Sequence, residues 1–323
     1  MAALVATGAF AQSAVTISGQ VDVGIVNPIG PDKTRIDQSA NGANQIVFSG
    51  SEDLGSGLRA TFRLAQRFSP ESGLNDGTAG NRPTWQGEST VGLAGNFGAI
   101  RIGRALTALQ GPLTQTDPWT TYQVASVSGV LTNGTEYRTA PDNVANSGSG
   151  LARTDGVFYT SPQFAGGLVA AVTVAPKNTQ VSGATTTGNH HLVSAWLSYT
   201  SGPVMIAGGS ERNRAGDRLS AIQGAFDFGM ARVAATYTLM DLEATTLDRR
   251  AFNIGATVPL GAVVLKAGYG RTKLENSPAN SKKVGLGLDY ALSKRTLIYT
   301  SVGRDSALTT AKTGYDLGIR HNF

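Results

Sequence analysis

From Ala14 onward the chain alternates apolar and polar residues with a period of two, and the pattern recurs almost to its last residue. Val15, Ile17, Gly19, Val21, Val23 and Ile25 fall on one side of the first such stretch. Thr16, Ser18, Gln20, Asp22 and Gly24 fall on the other. A period of two is the mark of a β-strand with unlike faces. No stretch approaches the roughly 20 consecutive apolar residues that a membrane helix needs. A chain of this kind can therefore cross a bilayer only as a closed barrel, where every backbone N–H and C=O finds a partner on a neighbouring strand. About ten tilted residues per strand suffice.

The pattern repeats at Leu58, Ala60, Phe62 and Leu64, set against Arg59, Thr61, Arg63 and Ala65. It returns at Val91 and Leu93, at Val193, Ala195 and Leu197, at Val284, Leu286 and Leu288, and at Tyr315, Leu317 and Ile319. Tight links such as Asn96–Gly98, Asp227–Gly229, Pro259–Gly261 and Ser293–Arg295 alternate with long ones at 27–43, 69–84, 176–189 and 273–281. Short turns on one rim and long loops on the other are the layout of a transmembrane barrel. Aromatics near the turns (Phe97, Phe164, Phe226, Phe228, Tyr290, Tyr299) suggest an interfacial girdle. The segments predict about 16 antiparallel strands, an all-β barrel too wide for its side chains to fill, so the lumen is expected to hold water.

Composition narrows the function. Only 15% of the 323 residues are charged, against about 25% in an ordinary soluble domain. The net charge is +5, but the 27 basic residues are scattered singly, which argues against nucleic acid as a partner. There is no cysteine, so disulfides and cysteine-based zinc sites are excluded, and no cofactor is indicated. The three histidines, His190, His191 and His321, do not converge with a serine and an acid, and no hydrolase, phosphate-loop or metalloprotease motif occurs. An enzyme is therefore not expected. A non-conducting barrel, serving adhesion or structure, is the alternative to a channel, with a barrel enzyme behind it. Residues 1–11 are small and apolar and end in Ala9-Phe10-Ala11. They read as the remnant of a signal peptide whose basic start is missing, followed by a barrel over 12–323. One connection is out of scale, from Ala105 to Ala152. Folded inward, it would set the width of the pore.

Six motifs in order resemble the trimeric Gram-negative general porins, in particular their β-proteobacterial branch. They are Val15-Thr16-Ile17-Ser18-Gly19-Gln20-Val21-Asp22, Phe48-Ser49-Gly50-Ser51-Glu52-Asp53-Leu54-Gly55, Asn96-Phe97-Gly98 with Ile102-Gly103-Arg104, Tyr159-Thr160-Ser161-Pro162-Gln163-Phe164, Leu292-Ser293-Lys294-Arg295-Thr296, and Gly318-Ile319-Arg320-His321-Asn322-Phe323. The resemblance spans 12–323. It implies an outer-membrane channel for ions and small hydrophilic solutes, a homotrimer, contact with lipid and lipopolysaccharide, and a third loop over 105–152 that narrows the lumen. It also implies a constriction of wall arginines facing loop acids. On that basis Arg104, Arg153 and the loop residues Asp117 and Glu136 are the expected constriction residues. Phe323 resembles the terminal aromatic read by the barrel-assembly machinery. Two departures tilt the charge. Gln45 stands where the family often has arginine, and Leu64-Ala65-Gln66-Arg67-Phe68 replaces an acid-bearing segment. Arg59, Arg63 and Arg67 share the lumenal parity of one strand, with Lys266, Arg232 and Arg320 as weaker pore-lining candidates. Rings of cations favour anions, so a weak anion preference is expected.

Overall fold

The computed structural model describes residues 14–38, 43–75, 84–120, 124–131, 153–181, 184–243, 248–274 and 281–323. The leader expected at 1–11, Glu136 and residues 132–152 of the long loop lie outside these. Sixteen long strands form one antiparallel sheet that closes on itself. They are β1 (Ala14–Asn27), β2 (Gln45–Gly55), β3 (Leu58–Ser69), β4 (Glu88–Gly95), β5 (Gly98–Leu106), β6 (Arg153–Thr160), β7 (Leu168–Ala175) and β8 (Leu192–Ser201). The second half runs β9 (Val204–Arg212), β10 (Arg218–Asp227), β11 (Arg232–Asp241), β12 (Arg249–Leu260), β13 (Val263–Leu274), β14 (Lys282–Ala291), β15 (Thr296–Asp305) and β16 (Thr313–Asn322). Each strand pairs with its sequence neighbours. Tight reversals at one end alternate with long connections at the other, as the spacing predicts.

The alternation sets the two faces. Val15, Ile17, Val91, Ile102, Ile206, Ile222 and Leu286 all stand exposed on the outside. In water this would be a serious liability, since apolar patches larger than a few hundred Å² are rare on soluble monomers. In hydrocarbon it costs nothing. One expected girdle residue faces the other way. Tyr299 is fully buried on the inner wall, where its hydroxyl donates to Asp22 Oδ1 at 2.6 Å. Its parity on β15 is that of Ser301, not of the outward Ile298 and Val302. Nearness to a turn suggests an outward girdle position for Tyr299, but strand parity turns it inward.

The barrel closes where β1 meets β16. Gln20–Asn27 run against Asn322–Tyr315, while the earlier part of β1 pairs with β2. The last residue completes the seam. Gly19 N–H donates to Phe323 O at 2.9 Å, and Phe323 N–H donates to Gly19 O at 3.0 Å. A side chain at Gly19 would overlap both the Phe323 ring and Gln45 O, so glycine leaves the space in which the terminal ring lies. Overpacking of this kind costs about 1–3 kcal/mol. Gly19→Val should therefore lower the yield of the heat-modifiable folded form and its thermal midpoint in detergent. Ile17→Val, two residues away on the same exposed face, should leave both nearly unchanged. Equal behaviour of the two variants would disprove the role given to the seam.

Candidate constriction site

The described half of the long loop lies inside the barrel. Its leucines Leu109, Leu113 and Leu131 are fully buried against Trp196, Leu219, Met240 and Ala251 of the inner wall. Burying each such side chain contributes about 1.5–3 kcal/mol. Polar bonds set the register of the loop on the wall. Leu109 N–H donates to Ser194 Oγ at 3.0 Å, and the Gln223 amide donates to Leu113 O at 2.8 Å. Further on, Val124 N–H donates to Asp316 Oδ2 at 2.7 Å and Ala125 N–H to Ser301 Oγ at 3.3 Å. Thr107 is bonded to Glu211, and Thr116 to Thr236.

Close contact needs a wall without side chains. Inward positions on successive strands are glycine where the loop touches. Gly255 lies against Pro118, Gly268 against Trp119 and Val127, Gly285 against Ala125, and Gly303 against Val124. A Cβ at any of these would strike the loop. The loop therefore occupies the β7–β16 side of the lumen and leaves the opposite side open.

That open side is lined by Gln45, Arg63, Glu88, Arg101 and Arg153 from the wall, and faces Thr107, Gly111, Pro112 and Gln115 of the loop. The space between them is about 580 Å³. Glu88, on the inner face of β4, lies between two arginines. Its Oε2 is 3.0 Å from Arg63 Nε, and its Oε1 meets Arg101 Nη1. The Arg101 guanidinium also lies 5.7 Å from the centre of the Phe158 ring, within cation–π range. Arg153 Nε donates to Gly87 O at 2.8 Å. The wall is held as a network of hydrogen-bonded charges rather than as loose side chains.

The expected residues divide. Arg59, Arg63 and Arg67 do share the inner face of β3. Arg63 is at the opening, Arg67 is buried toward the loop end, and Arg59 is exposed toward the turn end. Lys266, Arg232 and Arg320 also have inward parity. Lys266 Nζ is 2.6 Å from Asp289 Oδ2, Arg320 is opposite Asp22, and Arg232 begins β11 at the turn end. Arg104 is a correction. It carries the parity of the exposed Ile100 and Ile102 and is in register with Ser89 and Asp155, so it belongs to the outer face. Arg101 stands inside instead. Asp117 is a second correction. It is buried within the loop, where Oδ2 accepts from Ser126 Oγ at 2.6 Å and Ser128 N–H at 2.9 Å, and Oδ1 accepts from Trp119 N–H at 3.2 Å. It folds the loop rather than facing the channel.

Arg101 and Glu88 were absent from the expected set, although parity could have found both. Arg101 lies between the outward Ile100 and Ile102, and Glu88 precedes the outward Ser89 and Val91. Motif position favoured Arg104 over them.

Removing a buried acceptor that satisfies three donors costs about 1–3 kcal/mol. Asp117→Ala should lower thermal stability by that order and raise open-channel current noise, while the reversal potential stays at the parent value. A reversal potential that moves as far as it does on removing Glu88 would return Asp117 to the pore.

The Gram-negative porin family model matches residues 1–310. Outer membrane porin protein 32 of Delftia acidovorans is 27% identical over 363 aligned residues, covering 100% of this chain and 98% of that one. Major outer membrane protein P.IB of Neisseria lactamica is 26% identical and covers 88% of this chain and 84% of its own. Among solved structures, an anion-selective porin from Comamonas acidovorans superposes with a TM-score of 0.79 at 23% identity, over 97% of this chain and 100% of that one. With a barrel closed in the bilayer and a lumen narrowed from within, this chain belongs to the Gram-negative porin family and forms a passive diffusion channel of the outer membrane.

Proposed function

We propose that the channel passes small hydrophilic solutes with a weak preference for anions. The observation that carries this is the charge of the opening. Arg63, Arg101 and Arg153 line it against Glu88, and no other acid among the described residues lines it. Three guanidinium groups and one carboxylate leave a balance of +2. Arginine stays charged at any physiological pH, so the bias persists across that range. Its reach is short. The screening length falls from about 10 Å at 0.1 M salt to about 3 Å at 1 M, so selectivity weakens as salt rises. The name of the Comamonas relative, an anion-selective porin, is consistent with the reading. The chain acts as a channel and not as an enzyme; family membership supports this.

We further propose a homotrimer, for which the support is the family and the exposed apolar outer face of β1, β4 and β5. Phe323 would serve both the seam and recognition by the assembly machinery.

Reversal potentials across planar bilayers under a KCl gradient test the selectivity. The parent should favour chloride, more so at low salt. Glu88→Gln removes the lone acid and should strengthen the preference. Arg101→Gln or Arg63→Gln should weaken it, and the pair together should abolish it. A cation-preferring parent would overturn the proposal.

A further inference from the structure

We propose that the narrowed part of the channel binds small aromatic carboxylates, with the carboxylate among the arginines and the ring against an apolar stretch of inner wall. The site rests on the anion preference proposed above and extends it to one class of organic anion.

The cavity beside Arg63 and Arg101 does not end at the cationic wall. It continues under the loop toward the turn end of β6–β9, where Phe158, Ala171, Trp196, Met205 and Ala207 line it. All of them point inward, on the side of their strands opposite the exposed Val157, Val172, Leu197 and Ile206. They are neighbours across strands. Trp196 is opposite Ala171, while Ala207 and Met205 are opposite Ser198 and Thr200. Ala108 and Pro112 of the loop close the same space. Phe158 and Trp196 are buried rings, whereas Ala171 and Met205 are only half-buried. Part of this apolar surface therefore faces the water of the channel. A wall that only had to be wet would be polar throughout, as it is at Thr173, Ser198 and Thr200 in the same cavity.

The cationic and apolar walls meet at Arg101. It is directly opposite Phe158 on β6, and its guanidinium lies 5.7 Å from the centre of that ring. Arg63 and Arg101 remain 43% and 36% exposed while paired with Glu88. A guanidinium has five N–H donors, so each keeps donors for a second carboxylate. A carboxylate bound at Arg101 has its organic body beside Phe158, and a flat ring reaches on toward Trp196 and Met205. Rings favour edge-to-face or offset contact with other rings, and a thioether sulfur packs well against a ring. The space of about 580 Å³ lies within the roughly 300–1,000 Å³ of small-molecule sites. An inorganic anion uses only the arginines, and a neutral apolar molecule only the other wall. An aromatic carboxylate uses both. Conduction requires that it also leave, so the signature is a preference rather than tight capture.

The test uses the full chain in planar bilayers, with chloride current as the readout and benzoate, glucuronate and benzamide as probes. Benzoate and glucuronate each carry one carboxylate on a ring of the same size, apolar in the first and hydroxylated in the second. Benzoate should half-block the current at about a fivefold lower concentration than glucuronate, a ratio set by the ring contacts. Benzamide, the same ring without the charge, should leave the current at its starting value. Met205→Thr and Phe158→Thr should each bring the ratio toward one. Arg63→Gln should raise both concentrations and keep the ratio. Equal potency of benzoate and glucuronate, block by benzamide as strong as by benzoate, or a ratio unchanged in both wall variants would overturn the site. If neither wall variant gives a folded barrel, the parent's response to the probes decides alone. A parent that prefers potassium in reversal-potential measurements would instead remove the anion preference itself. Chloride preference with equal block by the two carboxylates removes only the aromatic site.

Discussion

Every feature of this protein depends on the absence of water in the hydrocarbon layer. A backbone amide there has no solvent to bond, so each strand must be paired on both edges. The sheet meets this by closing on itself, and closure brings the first and last strands together. The seam between β1 and β16 ends in the mutual pair of Gly19 and Phe323. Glycine at that point is a consequence of closure. The terminal ring takes the volume that a side chain would have filled.

Closure with 16 strands creates a second problem. A cylinder of that width cannot be packed by its own inward side chains. The chain answers with its third loop, which brings leucines into the lumen and makes the main apolar core between loop and wall. The wall on that side gives up side chains to receive it, at Gly255, Gly268, Gly285 and Gly303. Their inward parity was visible in the sequence, yet glycine on an inner face reads equally as flexibility or as a turn. Only the loop pressed against them shows what they accommodate. The unoccupied side becomes the channel, and its charge follows from which side chains happen to remain there.

The fold was legible because its signal is repeated. Alternation, turn chemistry and loop length agreed strand after strand, and no single error could undo the count. The site was less legible because each residue carries one signal only. Parity placed Arg59, Arg63, Arg67, Lys266, Arg232 and Arg320 on the inner face, as found. Motif position placed Arg104 inside, and the strand puts it outside. The resemblance implies a pore acid at Asp117, but its oxygens accept from Ser126, Ser128 and Trp119. The arginine-to-acid pairing lies instead within the wall itself, across β3, β4 and β5 around Glu88.

By itself the sequence determined the closed barrel, the sidedness of nearly every strand residue and the class of function. Those follow from a period of two and a bilayer, which are local and repetitive constraints. The tertiary structure alone decided which half of the lumen the loop fills, which wall residues meet across strands, and which charges remain facing water. These depend on register between strands far apart in sequence, such as Val124 with Asp316 or Tyr299 with Asp22. A one-residue change in register would exchange the inner and outer faces.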